Sequence, residues 1–269
     1  IKEAPAIVED AAPAAGFKAR ALIAGKAAAA GAPGPSRGTC AICMYLLPVE
    51  GGHLTCFLTC CCKMLCTDCA EKCREYDARC PLCRSAAPSS DAENLRRMMK
   101  HANAGNAEAQ TTVGDKHREG GLGLQKDSFR AIPLYHLAAA QGHARAQFKL
   151  GFCYSNGDGI DLNYETAVYW YRRAADQGHP TSQVNYGGML LNGQGLAQSD
   201  AQAVKWFRLA AEQGHPLGLF SLGYCYEYNR GVPRDFHEAL RLYKRAAAKG
   251  HAGAPDRVAN LEKGLAWVS

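Results

Sequence analysis

The chain has 269 residues, of which 21% are charged, and 31 Lys and Arg against 25 Asp and Glu leave a formal net charge of +6. Its 47% of hydrophobic residues suffice for a buried core, yet no run approaches the ~18 apolar residues that cross a bilayer, so a membrane-spanning helix is not expected. The positive balance is modest, and where chemistry is concentrated, between Cys40 and Arg84, it vanishes: Lys63, Lys72, Arg74, Arg79 and Arg84 are offset by Glu50, Asp68, Glu71, Glu75 and Asp77. A neutral segment has no phosphate-attracting patch, so nucleic acid is not an expected partner.

Residues 1–38 are dominated by Ala, Gly and Pro and close on GAPGPSRG. They read as a flexible tail, with transient helix around 17–30, in a chain whose true start lies upstream. No segment has the charged, apolar, small-residue order of a secretory signal, so a reducing, cytoplasmic or nuclear setting is expected.

Residues 39–84 hold eleven of the thirteen cysteines. The pairs Cys40 and Cys43, Cys66 and Cys69, and Cys80 and Cys83 each leave two residues between sulfurs, the spacing of a knuckle that turns two thiolates onto one ion. A fourth pair comes from the run Cys60, Cys61, Cys62. Four pairs make two tetrahedral zinc sites, and the competing reading is a disulfide-stapled module. So short a segment builds little core, so zinc binding must supply much of its folding energy. His53 and Cys56 are outside candidates as ligands, and Cys73, in the helical stretch AEKCREY, suits packing better.

These residues resemble a RING finger, a cross-braced module with two zinc ions. The resemblance implies one site from Cys40, Cys43, Cys66 and Cys69, and a second from Cys61, Cys80, Cys83 and one more residue. Lys63 stands where the common pattern has histidine, and the all-cysteine variant of the family puts Cys60 in that role, with Cys62 as the alternative. The resemblance further implies a docking surface for a ubiquitin-conjugating enzyme at Ile42, Pro81 and Leu82, with Arg84 bridging enzyme and ubiquitin.

SAAPSS, residues 85–90, is a polar linker, and Ser90 or Asp91 can cap a helix beginning AENLRRMMKHA, so residues 85–103 read as linker and first helix. From residue 104 the chain repeats. AGNAEAQ, QGHARAQ, QGHPTSQ, QGHPLGL and KGHAGAP start at Ala104, Gln141, Gln177, Gln213 and Lys249, in steps of 37, 36, 36 and 36. A beat of this length marks a solenoid. Each unit has a first helix, a glycine loop and a second helix such as ETAVYWYRRAADQG, whose apolar residues fall three and four apart.

Gly114, Gly151, Gly187 and Gly223 occur in phase in the first helices. A mid-helix glycine costs up to about 1 kcal/mol, so a close helix crossing is expected, with the paired alanines Ala138 and Ala139, Ala174 and Ala175, Ala210 and Ala211, and Ala246 and Ala247 as the opposing small surface. Tyr154, Trp170, Tyr171, Trp206, Phe207 and Tyr243 read as packing residues, and His143, His179, His215 and His251 as helix caps and inter-repeat contacts.

This pattern resembles the Sel-like repeat family, relatives of the tetratricopeptide repeat. The resemblance implies an alpha-alpha superhelical solenoid over residues 104–269, with four full repeats, a C-terminal cap around 256–263, and a face of stacked first helices that holds other proteins. The expected fold is therefore mostly α, a small two-zinc module followed by a solenoid. Two functions are open at this point. One is a RING-type ubiquitin ligase that docks a conjugating enzyme on the zinc module and recruits substrate through the repeats. The alternative is a non-catalytic, zinc-stabilised adaptor or scaffold.

Overall fold

The computed structural model describes residues 55–58, 63–66 and 88–266. Strands β1 (Thr55–Leu58) and β2 (Lys63–Cys66) pair antiparallel, with Thr55 opposite Cys66 and Leu58 opposite Lys63. The connection between them is therefore the segment that carries Cys60, Cys61 and Cys62. Cys66 closes β2. The other expected ligands, Cys40, Cys43, Cys60, Cys61, Cys69, Cys80 and Cys83, lie outside the described residues, as do Ile42, Pro81, Leu82 and Arg84.

Among the described residues ten helices follow: α1 (Asp91–Asn103), α2 (Ala107–Glu119), α3 (Ser128–Ala140), α4 (Ala144–Asn156), α5 (Tyr164–Asp176), α6 (Pro180–Asn192), α7 (Asp200–Glu212), α8 (Pro216–Glu227), α9 (Phe236–Ala248) and α10 (Ala254–Ala266). Their ends are written locally. Ser90 caps α1 by accepting from the Glu93 amide at 3.2 Å, and Asn106, Asp127, Asn163 and Asp235 do the same for α2, α3, α5 and α9. At the other end Gly157 and Gly193 take left-handed φ values of 67° and 68°, which stop α4 and α6 at little steric cost.

Helices pack as pairs, α2 with α3, α4 with α5, α6 with α7 and α8 with α9, and the second helix of each pair packs on the first helix of the next. α1 packs on α2, burying Met98 and Ala102 with Ala109 and Val113. Met98 precedes Tyr135 by the same 37-residue step that separates the first two repeat words, so α1 stands in the register of a second helix. α10 packs on α9.

The in-phase glycines do mark a close crossing, but the opposing surface is not the alanine pair. A β-carbon at Gly114, Gly151, Gly187 or Gly223 would stand 2.6, 2.6, 2.7 or 2.9 Å from the ring of Tyr135, Tyr171, Phe207 or Tyr243. Each glycine is thus a flat seat for an aromatic ring of its own repeat's second helix. The alanines line a different seam, between repeats: Gly218 at the start of α8 lies against Ala210 and Ala211 of α7. The physical reason is size. A ring needs the space of a missing side chain opposite it, whereas two methyl groups already allow close approach across the seam.

The rings also choose their neighbours by chemistry. Tyr135 donates its hydroxyl to Asp115 at 2.8 Å, Tyr243 donates to Glu227 at 2.7 Å, and Tyr171 lies 3.1 Å from the Ser155 hydroxyl. In the third repeat the ring is Phe207, and Leu191 stands at the position of Ser155. A buried hydroxyl occurs only with a partner at hand.

A ladder of glutamines pins the repeats together. Gln110, Gln147 and Gln183, all buried in first helices, donate to the carbonyls of Ala102, Ala139 and Ala175 in the preceding second helix. Each in turn accepts from a glutamine ending its own unit: Gln141 at 2.8 Å, Gln177 at 2.7 Å and Gln213 at 2.9 Å. The fourth repeat replaces the pair by Leu219 and Lys249. Gln147→Leu is therefore expected to cost about 1–2 kcal/mol by removing two buried hydrogen bonds, the one to the Ala139 carbonyl and the one from Gln177. The double change Gln147→Leu with Gln177→Lys, which copies the fourth repeat, should recover part of that loss. Urea midpoints of the two variants measure both effects.

Candidate protein-interaction groove

The first helices α4, α6 and α8 present one face side by side, and a groove of about 650 Å³ runs across them. α4 contributes Phe152, Ser155 and Asn156; α6 contributes Asn185, Gly188, Met189, Leu191 and Asn192; α8 contributes Leu217, Phe220, Ser221 and Tyr224. The walls are completed by Val184 of α6, Gln194 just after it, Tyr164 and Tyr171 of α5, and Phe207 of α7. This volume is within the range of ligand clefts. The face of first helices is the one that the resemblance to the Sel-like repeats implies for partners.

None of the seventeen lining residues carries a charge, although one residue in five of the chain does. Charged side chains stand on the same face beyond both ends of the groove, and they are engaged with one another. On the N-terminal side Asp115 of α2, which is buried, pairs with Arg145 and with Lys149 at 3.0 Å, and Glu108 takes Arg145 at 2.7 Å and His143 at 2.9 Å. Burial works to raise the Asp115 carboxyl, but the Arg145 guanidinium, the Lys149 ammonium and the Tyr135 phenol outweigh it and hold the group below the usual carboxylate range. For Glu108 burial is likewise overcome, by His143 and Arg145. At the C-terminal side Glu227 binds the Tyr243 hydroxyl and faces Arg257 at 3.3 Å.

The recurring histidines sit at the N-caps of α4, α6 and α8, as their place beside glycine suggests. His179 and His215 accept through Nδ1 from the amides of Ser182 and Gly218, at 3.2 and 3.3 Å. His179 stacks on Phe148 and His251 on Phe220, with centroids 5.0 and 4.1 Å apart, so each ring also ties one repeat to the next. Among the described residues there is no group of three or more His, Cys, Asp or Glu placed to hold a metal. Cys153 and Cys225 are free and buried, and burial pushes both thiols up to about 12, which leaves them inert as nucleophiles.

The repeat reading found the face of the groove but not the residues that shape it. Gly188 is the plainest omission. It follows the in-phase Gly187, and at its position the neighbouring repeats have Phe152 and Tyr224. Alignment of the units at 36 residues, read one position past the glycine, is the signal that singles it out.

The repeats correspond to a known family. Residues 107–143, 144–179, 180–215 and 216–251 match the Sel1 repeat, and together take in more than half of the chain. The structure is similar to that of a Sel1 repeat protein from Oxalobacter formigenes, with 32% identity, a TM-score of 0.59, and coverage of 61% of this chain and 65% of that one. It is also similar to c5321, a protective antigen of uropathogenic Escherichia coli with an SLR fold, at 39% identity and a TM-score of 0.57, covering 60% of this chain and 34% of the antigen. Among curated proteins, chitin synthase regulatory factor 3 of Schizosaccharomyces pombe is 34% identical over 64 residues, 23% of this chain and 7% of that protein. The chain thus spans under two thirds of each of these relatives. Four consecutive repeats, their helix pairs and their agreement with solved relatives place the chain in the Sel1 repeat family, whose members mediate protein–protein interactions.

Proposed function

We propose that the protein is a non-catalytic adaptor that holds a segment of another protein in the groove across α4, α6 and α8. The observation that carries this reading is the uncharged, aromatic-walled groove on the stacked first helices of a Sel1 solenoid. A surface of this kind gains affinity by covering apolar area and is not arranged to move protons or bonds. The fission-yeast relative is named as a regulatory factor, which suits an adaptor better than a catalyst. Panning short phage-displayed random peptides on the full chain tests the reading. Binders should be enriched on the parent and lost on Phe152→Ala with Tyr224→Ala, while circular dichroism of that variant stays helical. No enrichment on a folded chain would sink it.

The cysteine segment belongs to the same proposal as a zinc-stabilised second unit. Its donors suit zinc: Cys40, Cys43, Cys66 and Cys69 for one ion, and Cys60, Cys61, Cys80 and Cys83 for the other. Bound zinc would supply cross-linking and folding energy here. Elemental analysis of the full chain purified without added metal is expected to give two zinc ions per chain, and one or none ends the two-site reading. Cys60→Ser should alter the thiolate bands of the cobalt-substituted protein more than Cys62→Ser does. Autoubiquitination with a panel of conjugating enzymes separates adaptor from ligase. Ubiquitin transfer that fades with both Ile42→Ala and Arg84→Ala would replace the adaptor by a RING-type ligase.

A further inference from the structure

Gly188 has no packing reason to be glycine. A β-carbon built there meets no heavy atom within 4 Å, whereas one at the adjacent Gly187 would collide with Phe207 at 2.7 Å. It lies inside α6, where glycine costs up to about 1 kcal/mol against alanine, and the preceding and following repeats fill the position with Phe152 and Tyr224. The consequence of the missing side chain is a notch in the groove, with one aromatic ring on each side and Met189, Leu191 and Phe220 among its walls.

From this notch we infer that the ligand is an extended, uncharged peptide segment that inserts one aromatic or long aliphatic side chain at Gly188. The inference rests on the groove being the protein-binding site. Charge decides the first part. A charged ligand side chain would be desolvated in a groove without a charged wall residue, since the cations and carboxylates of this face are paired with one another outside it. Carboxamides decide the second. Asn185, Asn192 and Asn156 line the groove; Asn156 already donates to the Phe152 carbonyl at 2.8 Å and Asn185 shares a hydrogen bond with the Tyr171 hydroxyl, but a carboxamide has two donors and an acceptor, so each keeps capacity for a ligand. An extended segment has free N–H and C=O groups to meet them, whereas a helix has already paired its own. Shape decides the third, because a notch between two rings accepts a flat or branched apolar group and gives an alanine nothing to touch.

The same panning experiment distinguishes the levels of this argument, with Gly188→Phe and Gly188→Ala chains beside the parent. Peptides enriched on the parent should lack Asp, Glu, Lys and Arg at their centre and share one Phe, Trp, Leu or Met. Replacing that residue by Ala in a synthetic peptide should weaken binding roughly tenfold or more, and Gly188→Phe, which refills the notch with the ring of the preceding repeat, should do the same. Gly188→Ala guards against misfolding as the explanation. It should raise Tm by roughly 2–4 °C while binding falls, most for the largest anchors, and a folding defect cannot produce that combination. Enriched peptides with charged centres, or an affinity indifferent to Gly188→Phe, would overturn the anchor and leave the groove standing as a protein site. Absence of any enrichment would overturn the adaptor reading and the anchor with it.

Discussion

Gly151→Ala is expected to destabilise the solenoid by about 2 kcal/mol, although alanine is the better helix former. The new methyl would lie 2.6 Å from Cδ1 and 2.8 Å from Cγ and Cε1 of Tyr171. That ring is 3% exposed and its hydroxyl is held near Ser155, so it has no free direction in which to retreat. Overpacking at such a site costs about 1–3 kcal/mol, more than the helix propensity returns. Thermal or urea unfolding of the variant should show the loss, and since repeats unfold in part independently, the second unit should lose protection from hydrogen exchange first. Gly188→Ala should move stability the other way, because its β-carbon meets nothing. Two glycines on one solenoid, changed identically, with opposite signs, separate packing from propensity. Equal signs would refute the ring-on-glycine account.

Asp115→Ala should cost about 3 kcal/mol, as expected for removing one member of a buried ion network. Three groups lose an acceptor at once, the Tyr135 hydroxyl, Lys149 and Arg145, of which Arg145 keeps Glu108. The pH dependence has a definite sign. Asp115 and Glu108 are both held below their ordinary values in the folded chain, so their contribution is complete above the usual carboxylate range. It is lost as pH falls through the depressed native values, that is, below the usual carboxylate range. The Tm gap between parent and Asp115→Ala should therefore stay constant near neutrality and narrow in acid. A gap independent of pH down to unfolding would show that the loss comes from packing and not from charge. The variant also frees Lys149 beside the groove, so peptides panned on it should shift toward acidic sequences.

Much of the architecture was legible because the chain states it five times over. Steps of 36 and 37 residues in the recurring words fixed the number of units, the helix pairs and the capping place of the histidines, and an N-cap or a C-terminal glycine acts on its own turn. Such local chemistry needs no knowledge of the neighbours. Gln147 and Gln177 were visible as repeated letters, yet their hydrogen bond crosses from one helix to another 30 residues away, and only packing shows that the two amides meet. The partner of the in-phase glycines was misread for the same reason. Periodicity says that a helix crosses closely, but whether ring or methyl lies opposite depends on the rotation of the second helix about its axis. Gly188 is the strongest case. By sequence it is one more glycine in a helix, and its meaning comes from an absence of atoms around it, which tertiary structure alone decides because empty space is set by residues distant in the chain. The sequence by itself determined that this protein is a solenoid with a cysteine-rich unit before it; that the first-helix face carries an uncharged groove with a notch at Gly188, and that its charges are spent on one another beyond the groove's ends, was decided by how the repeats stack.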